Sequence, residues 1–276
     1  MENIESLGLQ LIAIVLGASV GSFLNVVIYR VPAELSILFP PSRCPTCLKQ
    51  LAPKDNIPIL GWFLIKGKCR YCHTPVSWRY PLIEGITAIL FWCVSIAFGS
   101  STPVLVMLGY CLLLSWLLSL AVIDLDTMTL PNVLTQSGLV AGVAFQIAIA
   151  SIPELQRTTT WSDRLLLSIT GAVVGIWLLD IMRFLGRVWL GKEAMGAGDP
   201  KLAAMIGAWL GWEKLLLSIL VAAALGLLLG ILAIALQKLG KKQEFPFGPF
   251  LAIGATCALF FGDVILSTYL SWFGLN

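Results

Sequence analysis

The sequence predicts an all-α polytopic membrane protein of about eight transmembrane helices with a cytoplasmic four-cysteine loop. Three observations predict it. Of the 276 residues, 58% are hydrophobic and 12% charged, where a soluble chain averages about 25% charged. The apolar residues fall in long runs separated by short polar or turn-forming segments. Two Cys-x-x-Cys pairs stand together in the longest polar segment. This composition excludes a disordered chain, which needs low hydrophobicity and high net charge, and it argues against a soluble enzyme. The net charge of +3 is too small to imply a nucleic-acid partner; the lipid bilayer is the expected surrounding.

Each span follows from an apolar run of roughly the length that crosses a bilayer, about 20 residues. The runs lie near Leu7–Ile28, Leu82–Phe98, Val104–Ile123, Val133–Ala150, Leu165–Leu185, Leu202–Trp212, Leu215–Leu236 and Phe250–Leu270. The sixth is short and Gly-rich, which predicts a broken or tilted helix. Gly99-Ser-Ser-Thr-Pro103, Ser151-Ile-Pro153 and Lys241-Lys-Gln-Glu-Phe-Pro246 interrupt the runs. The N-terminus, Met1-Glu-Asn-Ile-Glu-Ser6, has no basic stretch before the first run, so a retained helix is expected rather than a cleaved signal. No internal repeat, low-complexity tract or lipidation signal is visible. The expected organisation is a first helix over 1–30, a cytoplasmic zinc-binding loop over 31–81, and a seven-helix membrane domain over 82–276.

Charge placement orients the spans. The Arg30–Arg79 loop holds eight Lys/Arg, the Arg183–Lys201 segment four and the Lys238–Lys242 segment three. With eight spans these three fall on one side, which collects 15 of the 18 basic residues; Arg157, Arg164 and Lys214 fall opposite. The positive-inside rule makes that side cytoplasmic and puts both termini outside. Seven spans would scatter the charges.

Of seven cysteines, Cys93, Cys111 and Cys257 sit singly in apolar runs and suit packing. The other four form Cys44-Pro-Thr-Cys47 and Cys69-Arg-Tyr-Cys72, with 21 residues between the pairs. Two such knuckles near this spacing make a tetrahedral thiolate site for Zn²⁺. The alternatives are two disulfides or free thiols, and a cytoplasmic loop disfavours the disulfides. A site closed by four sulfurs is structural. His73, the one histidine, adjoins Cys72 but is read as a surface residue, since four cysteines already complete the set.

Ionisable groups in a membrane are costly and point to function. Glu84, Asp180 and Asp263 lie in or at the ends of spans. Asp124 and Asp126 lie in Ile-Asp-Leu-Asp-Thr-Met-Thr-Leu-Pro131, and Asp199 in Gly196-Ala-Gly198-Asp199-Pro200-Lys201. In the eight-span topology Asp124 ends the third span and Asp199 begins the sixth, both at the cytoplasmic side. Two carboxyls at one depth can share a proton, one activating water and the other donating to a carbonyl oxygen. Gly-Ala-Gly before Asp199 leaves room for a substrate backbone, and Pro131 and Pro200 limit helix continuity beside each acid. Solvated acids at span ends are the plain alternative, and a Gly-x-Gly-Asp pattern alone is weak. No His-Glu-x-x-His motif is present. A serine or cysteine triad would need His73, and a serine–lysine pair stays open without a marked serine.

These motifs resemble the type IV prepilin peptidases, the bacterial leader peptidase/N-methyltransferase family of Gly-x-Gly-Asp aspartic proteases. The resemblance covers nearly the whole chain. It runs through Gly21-Ser-Phe-Leu-Asn25-Val-Val-Ile-Tyr-Arg30-Val-Pro32, the two cysteine pairs with Asn56-Ile-Pro58 between them, Arg79-Tyr-Pro-Leu-Ile-Glu84, Ile123-Asp124-Leu-Asp126 with Leu130-Pro131, Gly196-Ala-Gly-Asp199-Pro-Lys201, and Pro246-Phe-Gly248-Pro249. It implies an inner-membrane endopeptidase that cuts the short basic leader of prepilins and pseudopilins after a glycine on the cytoplasmic face. It also implies methylation of the new N-terminus from S-adenosyl-L-methionine. The catalytic aspartates would be Asp124 and Asp199, with Asp126, Gly196, Gly198 and Lys201 auxiliary. Methylation would go with the first span and the cysteine loop, with Asn25, Arg30, Gly67 and Glu84 as candidate donor-site residues. The alternatives for two of these are Arg30 as a topology anchor and Glu84 as its ion-pair partner. No Gly-rich strand–turn–helix signature for the donor is present in the loop. The sequence departs from the family pattern in a short Arg30–Cys44 segment, in Asn132 where many members have aspartate, and in Pro200. Other readings of the intramembrane acids are a general intramembrane protease of the Gly-x-Gly-Asp type and an ion-coupled transporter. The transporter lacks the duplicated halves expected of it. A zinc-dependent assembly factor without catalysis is a third.

Overall fold

The computed structural model describes residues 2–99, 102–152, 160–191, 195–236 and 246–274. Arg157, Lys192 and the basic cluster at 238–242 lie outside the described residues. Among the described residues, eight α-helices follow in chain order: α1 (Glu2–Arg30), α2 (Leu60–Leu64), α3 (Arg79–Phe98), α4 (Val104–Thr127), α5 (Asn132–Ala150), α6 (Trp161–Leu190), α7 (Asp199–Ala235) and α8 (Gly248–Trp272). Every one except α2 is long and apolar enough to cross a membrane, seven among the described residues. In hydrocarbon the backbone finds no water, so each crossing segment must satisfy its own N–H and C=O groups, as a helix does.

The eight expected spans become seven helices because the sixth and seventh both lie in α7. Its backbone leaves the helical region at Gly211, with φ 81° and ψ 170°, a conformation open essentially to glycine alone. The run 199–210 packs antiparallel to α6: a Cβ on Gly175 would stand 2.6 Å from the Ala203 carbonyl, and one on Gly211 would stand 2.8 Å from Leu167. The run 212–235 packs antiparallel to α8, with Lys214 Nζ 2.9 Å from Asp263 and a Cβ on Gly226 only 3.8 Å from Phe250. The chain therefore goes in, turns at Gly211 and comes back. At 1.5 Å per residue the first run is about 18 Å long, short of a roughly 30 Å hydrocarbon core. Its last carbonyls lose their helical partners at the turn, and neighbouring side chains replace them. The Ser168 hydroxyl donates to Ala208 O at 2.9 Å and the Gln146 amide to Trp209 O at 2.6 Å.

The chain divides into two compact units, Met1–Ser115 and Trp116–Asn276. In the first, α1 lies on α3 at backbone contact. A Cβ on Gly17 would stand 2.7 Å from Ala88 Cα, and one on Gly21 2.6 Å from Glu84 Cα. Small residues four apart permit such approach, and van der Waals packing then holds helices together where lipid supplies no hydrophobic force. This pairing ties α3 to the first helix and the cysteine loop, whereas the sequence reading grouped residues 82–276. In the second unit the same device recurs, with Gly171 and Gly175 of α6 facing Gly207 and Ala203 of α7. The indole of Trp209 stacks on Phe145 at 4.9 Å and donates to Gly138 O at 2.8 Å.

Candidate active site and cysteine centre

Asp124 lies in the last turn of α4 and Asp199 is the first residue of α7. Both are buried, each 5% exposed, and the two carboxyls interact electrostatically. Each is held by a backbone N–H. Gly248, which opens α8, donates to Asp124 Oδ2 at 3.0 Å, and Gly196 donates to Asp199 Oδ2 at 3.1 Å. The C-terminal turn of its own helix is a poor place for an anion; the N-terminus of α8 offsets this with an unsatisfied donor and a favourable dipole.

The flanking segments are tied together. Gly198 gives Leu130 room: a Cβ there would stand 2.7 Å from Leu130 Cβ. Lys201 Nζ donates to Asn132 Oδ1 at 2.6 Å, joining the first turns of α7 and α5. Pro131 caps the start of α5, and Pro200 sits in the first turn of α7, where its missing N–H costs nothing. Asp126 is exposed at the end of α4. The structure thus brings Asp124, Asp199, Gly196, Gly198 and Lys201 to one place. Sequence reasoning missed the role of Gly248, although Pro246-Phe-Gly248-Pro249 is one of the motifs that carry the resemblance, and it missed Asn132 as the partner of Lys201.

In the first unit the four cysteine sulfurs lie within 4.8 Å of one another and can hold a metal ion. Cys44 Sγ is 3.7 Å from Cys72 Sγ, and Cys47 Sγ 3.9 Å from Cys69 Sγ. Zinc–sulfur bonds of about 2.3 Å in a tetrahedron put sulfurs about 3.8 Å apart, so the donor set fits zinc. All seven cysteines are unbridged. The two knuckles are copies of one turn, a local repeat that the sequence did not reveal. Leu48 N donates to Cys44 O and His73 N to Cys69 O, each at 3.0 Å. Leu48 and His73 both have φ 57°. His73 is therefore a turn residue and is exposed, as the sequence reading expected, outside the sulfur set. The Cys72 thiol is drawn down to about 6, first by the Thr74 hydroxyl and then by the Thr74 backbone, a shift toward the thiolate that a metal needs.

An ion pair between the exposed Arg70 and the buried Asp55 braces this loop. The Arg70 Nε stands 3.0 Å from both oxygens of Asp55, and the guanidinium beside it holds the Asp55 carboxyl below its ordinary range. A folded-state value below the unfolded one makes this contribution present above about pH 4. It is lost as pH falls through the lowered value.

The candidate donor-site residues separate. Arg30 donates to Ser36 O at 2.8 Å and Pro40 O at 2.6 Å, anchoring the loop. Among the described residues it forms no ion pair with Glu84. Glu84 is buried and accepts from Ile59 N at 2.6 Å and from the Ser22 side chain, so the alternative of an Arg30–Glu84 ion pair gives way to separate contacts. Asn25 is buried and donates to Tyr80 O at 3.2 Å. Gly67 turns with φ 64° beneath Trp62, whose ring would meet a Cβ at 2.8 Å.

Seven helices among the described residues are long and apolar enough to cross a membrane, which marks a multi-pass membrane protein with a buried pair of aspartates and a four-cysteine cluster. Residues 15–98 match the family described as Bacterial Peptidase A24 N-terminal domain, and residues 111–231 match the Type IV leader peptidase family. A "Prepilin leader peptidase/N-methyltransferase" of Stutzerimonas stutzeri is 37% identical over 96% of this chain and 95% of its own length. Proteins of the same name from Pectobacterium carotovorum (38% identical, 87% and 88% covered) and Pseudomonas aeruginosa (36%, 98% and 96%) are similar. No solved structure matches. The chain belongs to the type IV leader peptidase family.

Proposed function

We propose that the chain is a prepilin peptidase of the cytoplasmic membrane that uses Asp124 and Asp199 as its catalytic pair. The observation that carries this reading is the buried, interacting pair of carboxyls, each fixed by one backbone N–H. Two such groups work with one proton between them. The ionised carboxylate takes a proton from water as the water oxygen attacks the scissile carbonyl carbon. The neutral carboxyl donates its proton to the carbonyl oxygen. Collapse of the tetrahedral centre breaks the C–N bond as the first carboxyl gives the proton it took from water to the leaving nitrogen, while the proton on the former carbonyl oxygen returns to the second carboxylate. Gly196 and Gly198 keep the backbone beside Asp199 open, Lys201 fixes the flanking turn, and Asp126 adds a second acid at the exposed end of α4.

The substrate is the short basic leader of a prepilin or pseudopilin, cut after glycine. The distribution of basic residues supports a cytoplasmic-facing site with both termini outside. Zinc at Cys44, Cys47, Cys69 and Cys72 is structural, since four thiolates leave no open position. When bound, S-adenosyl-L-methionine would supply a methyl group for the new N-terminal amine, and Asn25, Arg30, Gly67 and Glu84 are the residues that would hold it.

The test is cleavage of a co-expressed prepilin by Asp124→Asn and Asp199→Asn variants, read by mass spectrometry. Each is expected to lose cleavage by at least a thousandfold while remaining inserted with its metal. Normal cleavage in either variant would remove the pair from the mechanism.

A further inference from the structure

Single apolar side chains on a protein surface are ordinary, but three on one face of a short helix call for a cover. Leu60, Phe63 and Leu64 of α2 stand at i, i+3 and i+4, which is one helix face, and they are 62%, 61% and 65% exposed. The opposite face is occupied. Gly61 is buried, and a Cβ there would stand 2.5 Å from Asp55 O. The Trp62 indole donates to Val76 O at 3.0 Å. These contacts fix the direction in which α2 faces, so its apolar side points away from the loop.

The helices that carry the loop set the depth of α2. Both α1 and α3 are long and apolar enough to cross a membrane. They run antiparallel in a fixed register: Asn25 Nδ2 donates to Tyr80 O at 3.2 Å, and Gly21 lies against the Glu84 backbone. Tyr29 at the end of α1, with Trp78 and Tyr80 at the start of α3, are exposed aromatics where such rings mark a membrane–water interface. Glu84 lies five residues beyond Arg79, about 7.5 Å along α3. Its carboxylate accepts from Ile59 N at 2.6 Å, and α2 begins at the next residue. The loop therefore folds back beside α3 and brings the apolar face of α2 to the level of the interface.

We propose that α2 is an interfacial anchor. Leu60, Phe63 and Leu64 insert among the acyl chains beside α3, and Lys66 and Lys68 meet anionic phosphate headgroups. An apolar helix face lies about 5–10 Å into the headgroup and acyl boundary in such anchors. Both lysines are exposed just beyond α2, and their long stems can follow the apolar surface while the ammonium groups reach the phosphates. Residues 31–78 hold six Lys/Arg against two Asp/Glu, an excess that complements an anionic leaflet. The anchor presses the cysteine loop onto the membrane surface, and it depends on neither proposed activity.

The test uses the full chain in nanodiscs of phosphatidylcholine and phosphatidylglycerol, with p-benzoylphenylalanine in place of Phe63 and, separately, of Leu64. The same probe at Val173, exposed on the spanning helix α6, is the lipid-facing reference, and helical content checks folding. After illumination, mass spectrometry should find lipid adducts at 63 and 64 as it does at 173. Phosphatidylglycerol should be enriched among the loop adducts about fivefold over its share of the bilayer. Lys66→Gln with Lys68→Gln should remove that enrichment. Adducts at both loop positions to a second copy of the chain, to its own Trp116–Asn276 unit or to a co-expressed prepilin would identify a protein cover and overturn the anchor. Absence of any adduct at both, with the reference labelled, would show a face open to water and also overturn it. Lipid adducts without phosphatidylglycerol enrichment would keep the insertion and overturn the headgroup contact.

Discussion

At Asp124 the carboxylate meets the Gly248 N–H at 3.0 Å, and a methyl group on Gly248 would stand 2.6 Å from the same oxygen. Neither the carboxylate nor the start of α8 can keep its place around that added carbon. Misplacing a reacting group by about 1 Å can cost about a hundredfold in rate. Gly248→Ala is therefore expected to lower kcat for leader cleavage about a hundredfold with zinc content unchanged, measured on purified prepilin. The two aspartates themselves were legible, because a carboxylate in an apolar run is rare enough to stand out. Gly248 was not, because its role depends on a contact 124 residues away in sequence. The Lys201–Asn132 bond is similar: each residue was visible, but their meeting depends on α5 and α7 starting side by side.

At the scale of elements, the turn inside α7 depends on a backbone conformation that a side chain would strain. The backbone of Gly211, with φ 81° and ψ 170°, would cost a side-chain-bearing residue about 1–3 kcal/mol. Gly211→Ala should lower unfolding stability in detergent by about that amount. Adding Leu167→Ala, which clears the nearest side chain, should leave most of the loss in place, because the penalty is in the backbone rather than in the 2.8 Å contact with Leu167. Full recovery in the double variant would show a steric origin instead. Most helices were visible as apolar runs to within a few residues, since hydrocarbon allows few other structures. Their pairing was less visible. Gly17/Gly21, Gly138/Gly142 and Gly171/Gly175 all have the four-residue spacing of close helix contacts, yet spacing does not say which helix each pair will meet. Gly138 and Gly142 in fact make room for Met205 and Trp209 rather than for another backbone.

For the whole molecule, the loop between α1 and α3 has no helix longer than the five residues of α2 and only two isolated β-bridges among its residues. Its order rests on the sulfur cluster, the Arg70–Asp55 pair and the Arg30 contacts. Metal binding and folding are coupled in such segments. Purified protein is expected to carry about one zinc per chain. Cys44→Ser with Cys69→Ser should abolish it and make the loop sensitive to limited proteolysis, while the Trp116–Asn276 unit keeps its melting behaviour. Unchanged metal content would refute the site. The cluster of four cysteines was legible because two knuckles at this spacing have few other uses. The repeat of their turns was hidden, since Leu48 and His73 share a backbone conformation and no chemistry.

The reversal at Gly211 also bears on chemistry far from it. A continuous α7 of 37 residues would be about 55 Å long and would deliver the chain to the opposite face of the bilayer. The first turn of α8 would then begin on the wrong side, and the Gly248 N–H would be absent from Asp124. The reversal between Asp199 and Gly248 is thus a condition of seating the Gly248 N–H on Asp124. It is set by one glycine about 18 Å along the helix from Asp199.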